Sequence, residues 1–449
     1  MPVVLATDVL LWLLVAAAAA YFLYCRRHAH LAAPWRRVLQ SRAALASLVV
    51  LAAFALVGLL DSLHFRPRLE GTAAYSNEVL SLLDTGLSHL RANREKTYSA
   101  PFATRLYAKE QIETAEGSTV RDYPRLAYGG RHLRDEADRG ADIALRGAAG
   151  LAIALALGGL AYAAMRPARR RYPDIPWQAA GWALAVLLAV ALPLYVLSFE
   201  YHVFGTDKVG QDVLYQSLKS IRTALVIGTL STLTMLPFGI AFGIIAGYFR
   251  GWVDDVIQYV YTTLNSIPGV LLIAAAVLMM QVYIDTHAES FPTAAHRADF
   301  RLLMLCLILG LTSWTGLTRL LRGEALKLST LDFIQAAHAF GVPDARILAR
   351  HILPNVAHIV IISLVMDFSG LVLAEAVLSY VGVGVDPATT SFGTMINAAR
   401  LEMGRDPIVW WSLAAAFAFM LLLVLAANLF ADAVRDGFDP RVRVGTVPA

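Results

Sequence analysis

Two acidic residues lie inside a long apolar stretch of the chain, where a charge is costly. Asp367 and Glu375 fall within residues 356–381, about two helical turns apart. An ionisable side chain at bilayer depth is either paired or protonated at a helix interface, or lines a path for a polar solute. Both residues are therefore candidates for a translocation path. The helix-interface role is the favoured alternative, and catalysis is the least favoured role.

The sequence has none of the short motifs that bind nucleotides or cleave substrates. It lacks a Gly-x-x-x-x-Gly-Lys-Ser/Thr loop, a Gly-x-Ser-x-Gly elbow and a His-Glu-x-x-His pair. Cys25 and Cys306 both lie in apolar segments, which indicates membrane-buried side chains rather than a disulfide or a metal site. We therefore expect no catalytic residue, no metal site and no ATP bound by this chain.

The composition places most of the chain in lipid. Hydrophobic residues make up 57% and charged residues 16% of the 449 residues, whereas soluble domains carry about 25% charged residues. A spanning helix needs about 20 apolar residues. Nine segments meet that need, which predicts an all-α polytopic membrane protein: 3–25, 43–61, 147–165, 177–199, 221–248, 267–284, 301–318, 356–381 and 409–431.

Basic residues set the orientation of these helices, because cytoplasmic loops are enriched in Lys and Arg. Four clusters fall on one side when all nine helices span: Arg26, Arg27, Arg36, Arg37 and Arg42; Arg166, Arg169, Arg170 and Arg171; Arg319, Arg322, Lys327, Arg346 and Arg350; and Arg435, Arg441 and Arg443. That side is the cytoplasm. The net charge of +4 is spread over these clusters, so nucleic-acid binding is not favoured.

Residues 62–146 then lie outside the cytoplasm. Leucines at residues 80, 82, 83, 87 and 90 recur at helical steps, which predicts a small, mainly helical periplasmic insert. His64, His89 and His132 occur singly and are interpreted as solvated side chains. The first apolar segment is followed, not preceded, by arginines, which favours a retained helix over a cleaved signal peptide.

The longest cytoplasmic loop of the second half, residues 319–355, has the pattern of a helix, a break and a second helix. Gly341 is suited to a left-handed residue that ends the first helix. Pro343 suits the first turn of the second helix. Leu353 and Pro354 are expected to stop it, since proline lacks an amide donor. Such a pair forms a rigid knob below the bilayer, although an ordinary connector remains an alternative.

This loop resembles the EAA loop of ABC import permeases, with the pattern Glu-Ala-Ala-x3-Gly-x9-Ile-x-Leu-Pro. Gln335 replaces the usual Glu and His351 the usual Ile, so any ion pair of that Glu is in doubt. In that family the loop docks on the ATPase subunit. The resemblance implies these coupling residues: Gln335, Ala336, Ala337, Gly341, His351, Leu353 and Pro354.

Further segments are similar to the dipeptide/oligopeptide branch of that family, in family order over about residues 200–443. They are the Phe-Gly-Thr-Asp run at 204–207 with Gly-Gln-Asp-Val at 210–213, the run 373–385, Ser-Phe-Gly-Thr-Met at 391–395, and 432–440. The resemblance implies a type I importer permease core of about six helices, with about three extra N-terminal helices. Either the second or the fourth helix can fill the first core position, and the fourth is favoured.

The resemblance also implies a domain plan and partners. The expected domains are anchor helices at 1–61, the insert at 62–146, two helices at 147–200, the permease core at 201–434 and a cytoplasmic tail at 435–449. The expected partners are a second permease subunit, two ATPase subunits that use ATP, and a periplasmic peptide-binding protein, all at the bacterial inner membrane. Alternatives are a nickel or other small-solute permease, a secondary transporter, and a membrane-anchored scaffold.

Overall fold

The computed structural model describes residues 1–68, 75–113, 119–291 and 293–438. These residues are mostly helical, and nine of their helical spans are long and apolar enough to cross a bilayer. The predicted all-α membrane fold is therefore confirmed. The predictions that concern residues 439–449, including Arg441 and Arg443, lie outside the described residues.

The described residues of the N-terminal half form eight α-helices. Their bounds are α1 (Ala6–Arg27), α2 (Ala29–Gln40), α3 (Arg42–Asp61), α4 (Leu82–Gly86), α5 (Ser88–Ala92), α6 (Arg139–Ala164), α7 (Arg166–Arg171) and α8 (Trp177–Leu197). A 3-10 turn at Glu136–Asp138 leads into α6. Of these helices, α1, α3, α6 and α8 supply predicted spans.

In the C-terminal half, ten α-helices are found within the described ranges. Their bounds are α9 (Val213–Phe249), α10 (Gly251–Ser266), α11 (Gly269–Thr286), α12 (Ala294–Ser313), α13 (Thr315–Leu328), α14 (Asp332–Ala339), α15 (Asp344–Ile347), α16 (Leu353–Val381), α17 (Phe392–Glu402) and α18 (Trp411–Phe438). A 3-10 turn occupies Ala288–Ser290 and a π-helical segment Leu348–Ile352.

Five short strands accompany the helices. β1 (Pro2–Val3), β2 (His64–Phe65) and β3 (Leu80–Ser81) form one antiparallel sheet in that order, with Pro2 opposite Phe65. β4 (Glu110–Glu113) and β5 (Thr119–Asp122) form a separate antiparallel pair with Glu110 opposite Asp122. Each strand is two to four residues long.

The chain divides into two compact units. Of the described residues, the first contains those within 1–4, 39–224 and 387–426, and the second contains those within 5–38, 225–386 and 427–438. Each unit has its own apolar clusters.

The first unit is built on α3, α6 and α8. Gly150 of α6 meets the backbone of α8, because a Cβ placed there would lie 2.5 Å from the Cα of Pro193. Val57 and Leu60 of α3 pack against a buried cluster that contains Leu214 and Tyr215 of α9. Whether α3 or the helix at 177–199, which the sequence favours, fills the first core position stays a prediction.

The insert between α3 and α6 is not mainly helical, so that prediction is wrong. Its described residues form two five-residue helices, short strands and loops, and the long helix α6 starts at Arg139 rather than near residue 147. The helical periodicity of its leucines comes from α4 and α5, whose Leu83, Leu87 and Leu90 are buried against α9. Prolines at 67, 101 and 124 interrupt longer helices. Parts of the prediction, 69–74 and 114–118, lie outside the described residues.

The second unit holds α1 by an interhelical cap. The Asp299 carboxylate of α12 accepts hydrogen bonds from the backbone amides of Ala6 (2.8 Å) and Thr7 (3.3 Å) and from the Thr7 hydroxyl. These amides belong to the first turn of α1, where no intrahelical acceptor exists. A buried carboxylate at a helix N-terminus also interacts favourably with the helix dipole. The first helix is thereby fixed to α12.

Candidate coupling site

The predicted break of the coupling loop has the geometry expected of it. α14 ends at Ala339, and Gly341 has a φ of +74°. The amide of Val342 donates to the carbonyl of Ala337 (3.1 Å), and the amide of Gly341 donates to that of His338 (2.9 Å). This is the pattern of a Schellman motif, in which a left-handed residue satisfies the last carbonyls of a helix. Gly341 thus ends α14 as the sequence predicts.

One side of α14 is anchored by Ile334. This side chain is 2% exposed and belongs to a buried cluster with Leu321 and Ala325 of α13. Ile347 and Ile352, on the far side of the break, are members of the same cluster. Because protein interiors are close-packed and transmit strain, a displacement of α14 is passed to α13 and to the start of α16.

The other side of α14 is open. Gln335 and Ala336 are exposed, whereas Ala337 is half-buried against the anchoring cluster. Phe340, directly after the helix, is 87% exposed. The Gln335 side-chain amide donates to the carbonyl of Thr330 (3.2 Å), a bond within the loop that a carboxylate cannot make. The open side therefore offers small residues, an amide and one aromatic ring.

The prediction that Leu353 and Pro354 stop a helix is wrong. The chain turns from α15 through the π-helical segment directly into α16, with Pro354 in the first turn. Proline is tolerated there because the first-turn amides of a helix need no intrahelical partner. The Asn355 side-chain amide donates to the carbonyl of His351 (2.6 Å). The second half of the loop is therefore a continuous helical extension of α16.

A ladder of three glycines, which the sequence analysis did not identify, brings α9 against α13. A Cβ on Gly243 would lie 2.9 Å from the carbonyl oxygen of Thr318, and one on Gly247 would lie 2.5 Å from that of Arg322. Gly239 lies against the side chain of Leu317, whose Cδ2 would be 2.7 Å from such a Cβ. Glycines spaced by four along an apolar helix are the signal that would have predicted this close crossing.

An ion pair holds α10 beside the start of the coupling loop. The guanidinium of Arg322 donates to Asp254 through Nε (2.6 Å) and Nη2 (2.6 Å). The hydrogen bonds from Arg322 hold the pKa of the Asp254 carboxyl below its ordinary value. Tyr248 donates to Asp344 of α15 (2.6 Å). α9, α10, α13 and α15 are thus tied together at this end of the second unit.

The two acidic path candidates differ in their surroundings. Glu375 is buried and accepts a hydrogen bond from Ser379 (2.6 Å), one turn along α16. Asp367 is half-buried, although it lies on the helix face of the buried residues Ser363 and Leu371. The structure therefore does not bring the two carboxylates together, and their role in a path stays a prediction. The described residues contain no group of three potential metal ligands.

The Phe-Gly-Thr-Asp segment is a platform for the insert. Gly210 has a φ of +72°, and a Cβ there would lie 1.7 Å from the carbonyl oxygen of Glu95. The Thr206 amide donates to the carbonyl of Ser99 (3.1 Å), and the Trp411 indole donates to that of Thr206 (2.9 Å). The motif is thus explained by close backbone approach to the insert.

A buried charge cluster completes this platform. His202 lies between the carboxylates of Asp212 (2.8 Å) and Glu95 (3.4 Å). Burial disfavours the charged forms of both His202 and Glu95, but their hydrogen bonds outweigh it. Bonds with Asp212 and Glu95 raise the pKa of His202 to about 9. Bonds from His202 and from the amides of 127–129 lower that of Glu95 to about 2. Both groups are charged near neutral pH.

Comparison with known proteins matches the part of the chain that carries the loop. Residues 239–444 match the family described as "Binding-protein-dependent transport system inner membrane component". The oligopeptide transport system permease protein OppC of Mycobacterium tuberculosis is 31% identical over 242 residues, 54% of this chain and 77% of that protein. The chain belongs to this permease family.

Other family members give similar matches. The dipeptide permease DppC of Lactococcus lactis is 30% identical over 242 residues, which cover 54% of this chain and 64% of that protein, just under two thirds. The glutathione permease GsiD of Pectobacterium atrosepticum is 31% identical over 244 residues, 73% of its length. The family region of the chain runs from α9 past α18. It includes the candidate coupling site, while α1 to α8 precede it.

Proposed function

We propose that this chain is a transmembrane permease subunit of an ATP-driven importer in the bacterial inner membrane. It forms half of a pathway for dipeptides or oligopeptides. A separate ATPase subunit docks on the open side of α14. The chain itself hydrolyses nothing, in keeping with the absence of a phosphate-binding motif from its sequence.

The single observation that carries this proposal is the two-sided character of α14. Ile334 faces inward and shares a buried cluster with α13 and with the start of α16, while Ala336 and Phe340 face outward. Small exposed side chains let another backbone approach closely, and the buried anchor converts such a contact into movement of membrane helices. A passive connector needs no such anchor.

The partners follow from the family. We expect a second, different permease subunit that closes the pathway, two ATPase subunits that bind and hydrolyse ATP, and a periplasmic binding protein that delivers the solute. Closure of the ATPase pair on ATP would displace α14 and tilt α13 and α16. Asp367, half-buried on an apolar helix, is the residue we expect to line a water-filled path, with Glu375 further along α16.

Peptides are the favoured cargo because relatives carry the names dipeptide, oligopeptide and glutathione permease. The test is uptake by proteoliposomes that contain this chain with its co-purified partners. We expect uptake of labelled peptides that requires both ATP and the binding protein. Uptake of nickel in place of peptides would refute the proposal of a peptide cargo. Uptake driven by an ion gradient without ATP would refute the proposal of an ATP-driven importer.

Deleting the insert separates this proposal from a scaffold or sensor function. Removing residues 66–138 from a transport subunit leaves α9 to α18 and the coupling site in place. We expect assembly with the ATPase, judged by co-purification, to persist. If deletion of the insert alone abolished association with the ATPase, the essential contacts would lie outside α14.

A further inference from the structure

A basic turn between α6 and α8 lies outside the family region and has no part in the proposed coupling. α7 is six residues long and contains Arg166, Arg169, Arg170 and Arg171. It follows directly on α6, a 26-residue helix rich in Ala, Gly and Leu. The positive-inside pattern puts this turn at the cytoplasmic face of the bilayer.

The turn is held in a fixed shape. The Trp177 indole donates to the carbonyl of Tyr172 (3.0 Å), closing the connection between α7 and α8. Ile175 within the connection is buried against Leu45 of α3 and Ala180 of α8. Tyr162, Tyr172 and Trp177 are the aromatic residues typical of the headgroup level of a bilayer. The arginines are therefore presented from a rigid base at that depth.

The positive charge of the turn is not neutralised by protein groups. Within the described ranges, none of the four guanidinium groups forms an ion pair with a carboxylate. Arg169 instead lies over the Tyr162 ring at 4.5 Å, and Arg171 lies near the Tyr172 ring at 5.8 Å. Arg166 and Arg170 are exposed and have no such ring beneath them.

These arginines surround a depression. Its volume is about 510 Å³, and it is lined by Arg166, Pro167, Arg170 and Arg171. The apolar surface of α6 begins about two helical turns before Arg166, where Leu160 is 68% exposed. A ligand that matches both features carries a phosphate for the guanidinium groups and an acyl chain for the leucine surface.

We propose that the α7 turn binds the headgroup of an anionic phospholipid from the cytoplasmic leaflet. The phosphate of the lipid lies between Arg166 and Arg170, and its acyl chains lie along α6. This site fixes the α6–α8 pair in the membrane and makes the stability of the first unit depend on lipid charge. It rests on the predicted orientation of the helices and is independent of the cargo.

The test uses the full-length chain in mild detergent, titrated with phosphatidylglycerol or phosphatidylcholine and followed by native mass spectrometry. We expect tighter binding of phosphatidylglycerol. Removing two arginines in the variant R166Q/R170Q should weaken that binding roughly 30-fold, at about a factor of five for each basic residue near an anionic surface. The variant R166K/R170K keeps the charge and should keep most of the binding.

The matched control is R26Q/R27Q, which removes two cytoplasmic arginines from the end of α1. It should leave phosphatidylglycerol binding close to that of the wild type. Equal weakening by R26Q/R27Q would overturn the proposal, because the effect would then be one of net charge. Equal binding of both lipids by the wild type would overturn it too. Displacement of the lipid by inorganic phosphate at the same concentration would identify a simple anion site instead.

A second measurement covers the case in which R166Q/R170Q fails to fold. An arginine-specific reagent is applied to the wild-type chain in nanodiscs of each lipid, and modified residues are identified by peptide mapping. Protection of Arg166 and Arg170 in phosphatidylglycerol, but not in phosphatidylcholine, supports the site. Equal modification of these two residues in both lipids contradicts it.

Discussion

Arg322 of α13 and Asp254 of α10 form a bidentate ion pair, with both nitrogen–oxygen distances at 2.6 Å. Arg322 lies on the same helix as Leu321 and Ala325, which share a buried cluster with Ile334 of α14. From the sequence, Arg322 is predicted only as one of several basic residues on the cytoplasmic side. Its partner shows that it also fixes the relative position of two helices next to the coupling loop.

This pair should contribute more to stability than an ordinary surface pair. The Asp254 side chain is 12% exposed, whereas in the pair of Lys327 and Glu324 the side chains are 68% and 31% exposed. A double-mutant cycle with R322Q and D254N, measured by unfolding in detergent, should give a coupling energy above about 1 kcal/mol. The matched cycle with K327Q and E324Q should give about 0–0.5 kcal/mol. Equal coupling energies would contradict the structural role.

Truncation of the Ile334 side chain should uncouple ATP hydrolysis from transport. Ile334→Ala leaves a cavity in the cluster that joins α14 to α13, at a cost of about 2–5 kcal/mol. We expect ATP hydrolysis by the assembled complex to continue while transport per ATP falls. Leu320→Ala, at an exposed position of α13, is the control and should keep its transport ratio. An unchanged ratio in Ile334→Ala would show that the buried anchor transmits nothing.

Two substitutions of Gly341 separate the effect of its backbone conformation from the effect of contact with a docked partner. Nothing lies within 4 Å of a Cβ built on this residue, so a substitution there meets only the left-handed backbone and the docked partner. Asn and Asp have similar shapes and both tolerate this backbone. We expect Gly341→Asp to abolish transport with normal membrane insertion, since it puts a charge on the docking face, and Gly341→Asn to retain part of it. Wild-type transport by the Asp variant would contradict the coupling role.

The insert should loosen at both ends of the pH scale. The raised pKa of His202, about 9, gives stability that is complete below about pH 6.5 and is lost as the pH rises through 9. The lowered pKa of Glu95, about 2, gives stability that is lost as the pH falls from about 4.5 towards 2. Fluorescence of Trp411, whose indole bonds to Thr206, reports on the contact.

Each limb of this profile has its own variant. His202→Gln should abolish the alkaline transition and move the acid one to higher pH, because the bond with His202 lowers the pKa of Glu95. Glu95→Gln should abolish the acid transition and move the alkaline one to lower pH, because the bond with Glu95 raises the pKa of His202. His132, which pairs with Asp142 at a more exposed site, is the control, and His132→Gln should leave the alkaline limb intact. An alkaline transition that persists in His202→Gln would assign it to another group.

The sequence predicts well what depends on local composition. Nine apolar runs give nine spans because lipid contact demands about 20 apolar residues wherever a helix crosses. Gly341 is equally local, since a left-handed helix end favours glycine. The spans extend beyond their apolar runs, as in α9 from Val213 to Phe249, because polar helical turns continue outside the lipid.

What the sequence does not predict depends on partners far along the chain. Asp299 caps a helix that starts 293 residues earlier. Glu95 accepts hydrogen bonds from the backbone amides of 127–129 and lies beside the charged ring of His202. The irregular insert is held by such distant contacts, so its leucine spacing misleads. Helix propensity also does not predict the π-helical segment before Pro354. Ile347 and Ile352, on either side of it, are both buried in the cluster that contains Ile334.

The most direct test of the coupling claim is cysteine cross-linking from the open side of α14. In a background with Cys25 and Cys306 replaced by Ser, Ala336→Cys is compared with Val209→Cys, an exposed residue near the insert platform. The predicted result is a cross-linked product of Ala336→Cys that contains a nucleotide-hydrolysing subunit, and none from Val209→Cys. Failure of Ala336→Cys to capture such a subunit from an actively transporting complex would contradict the account.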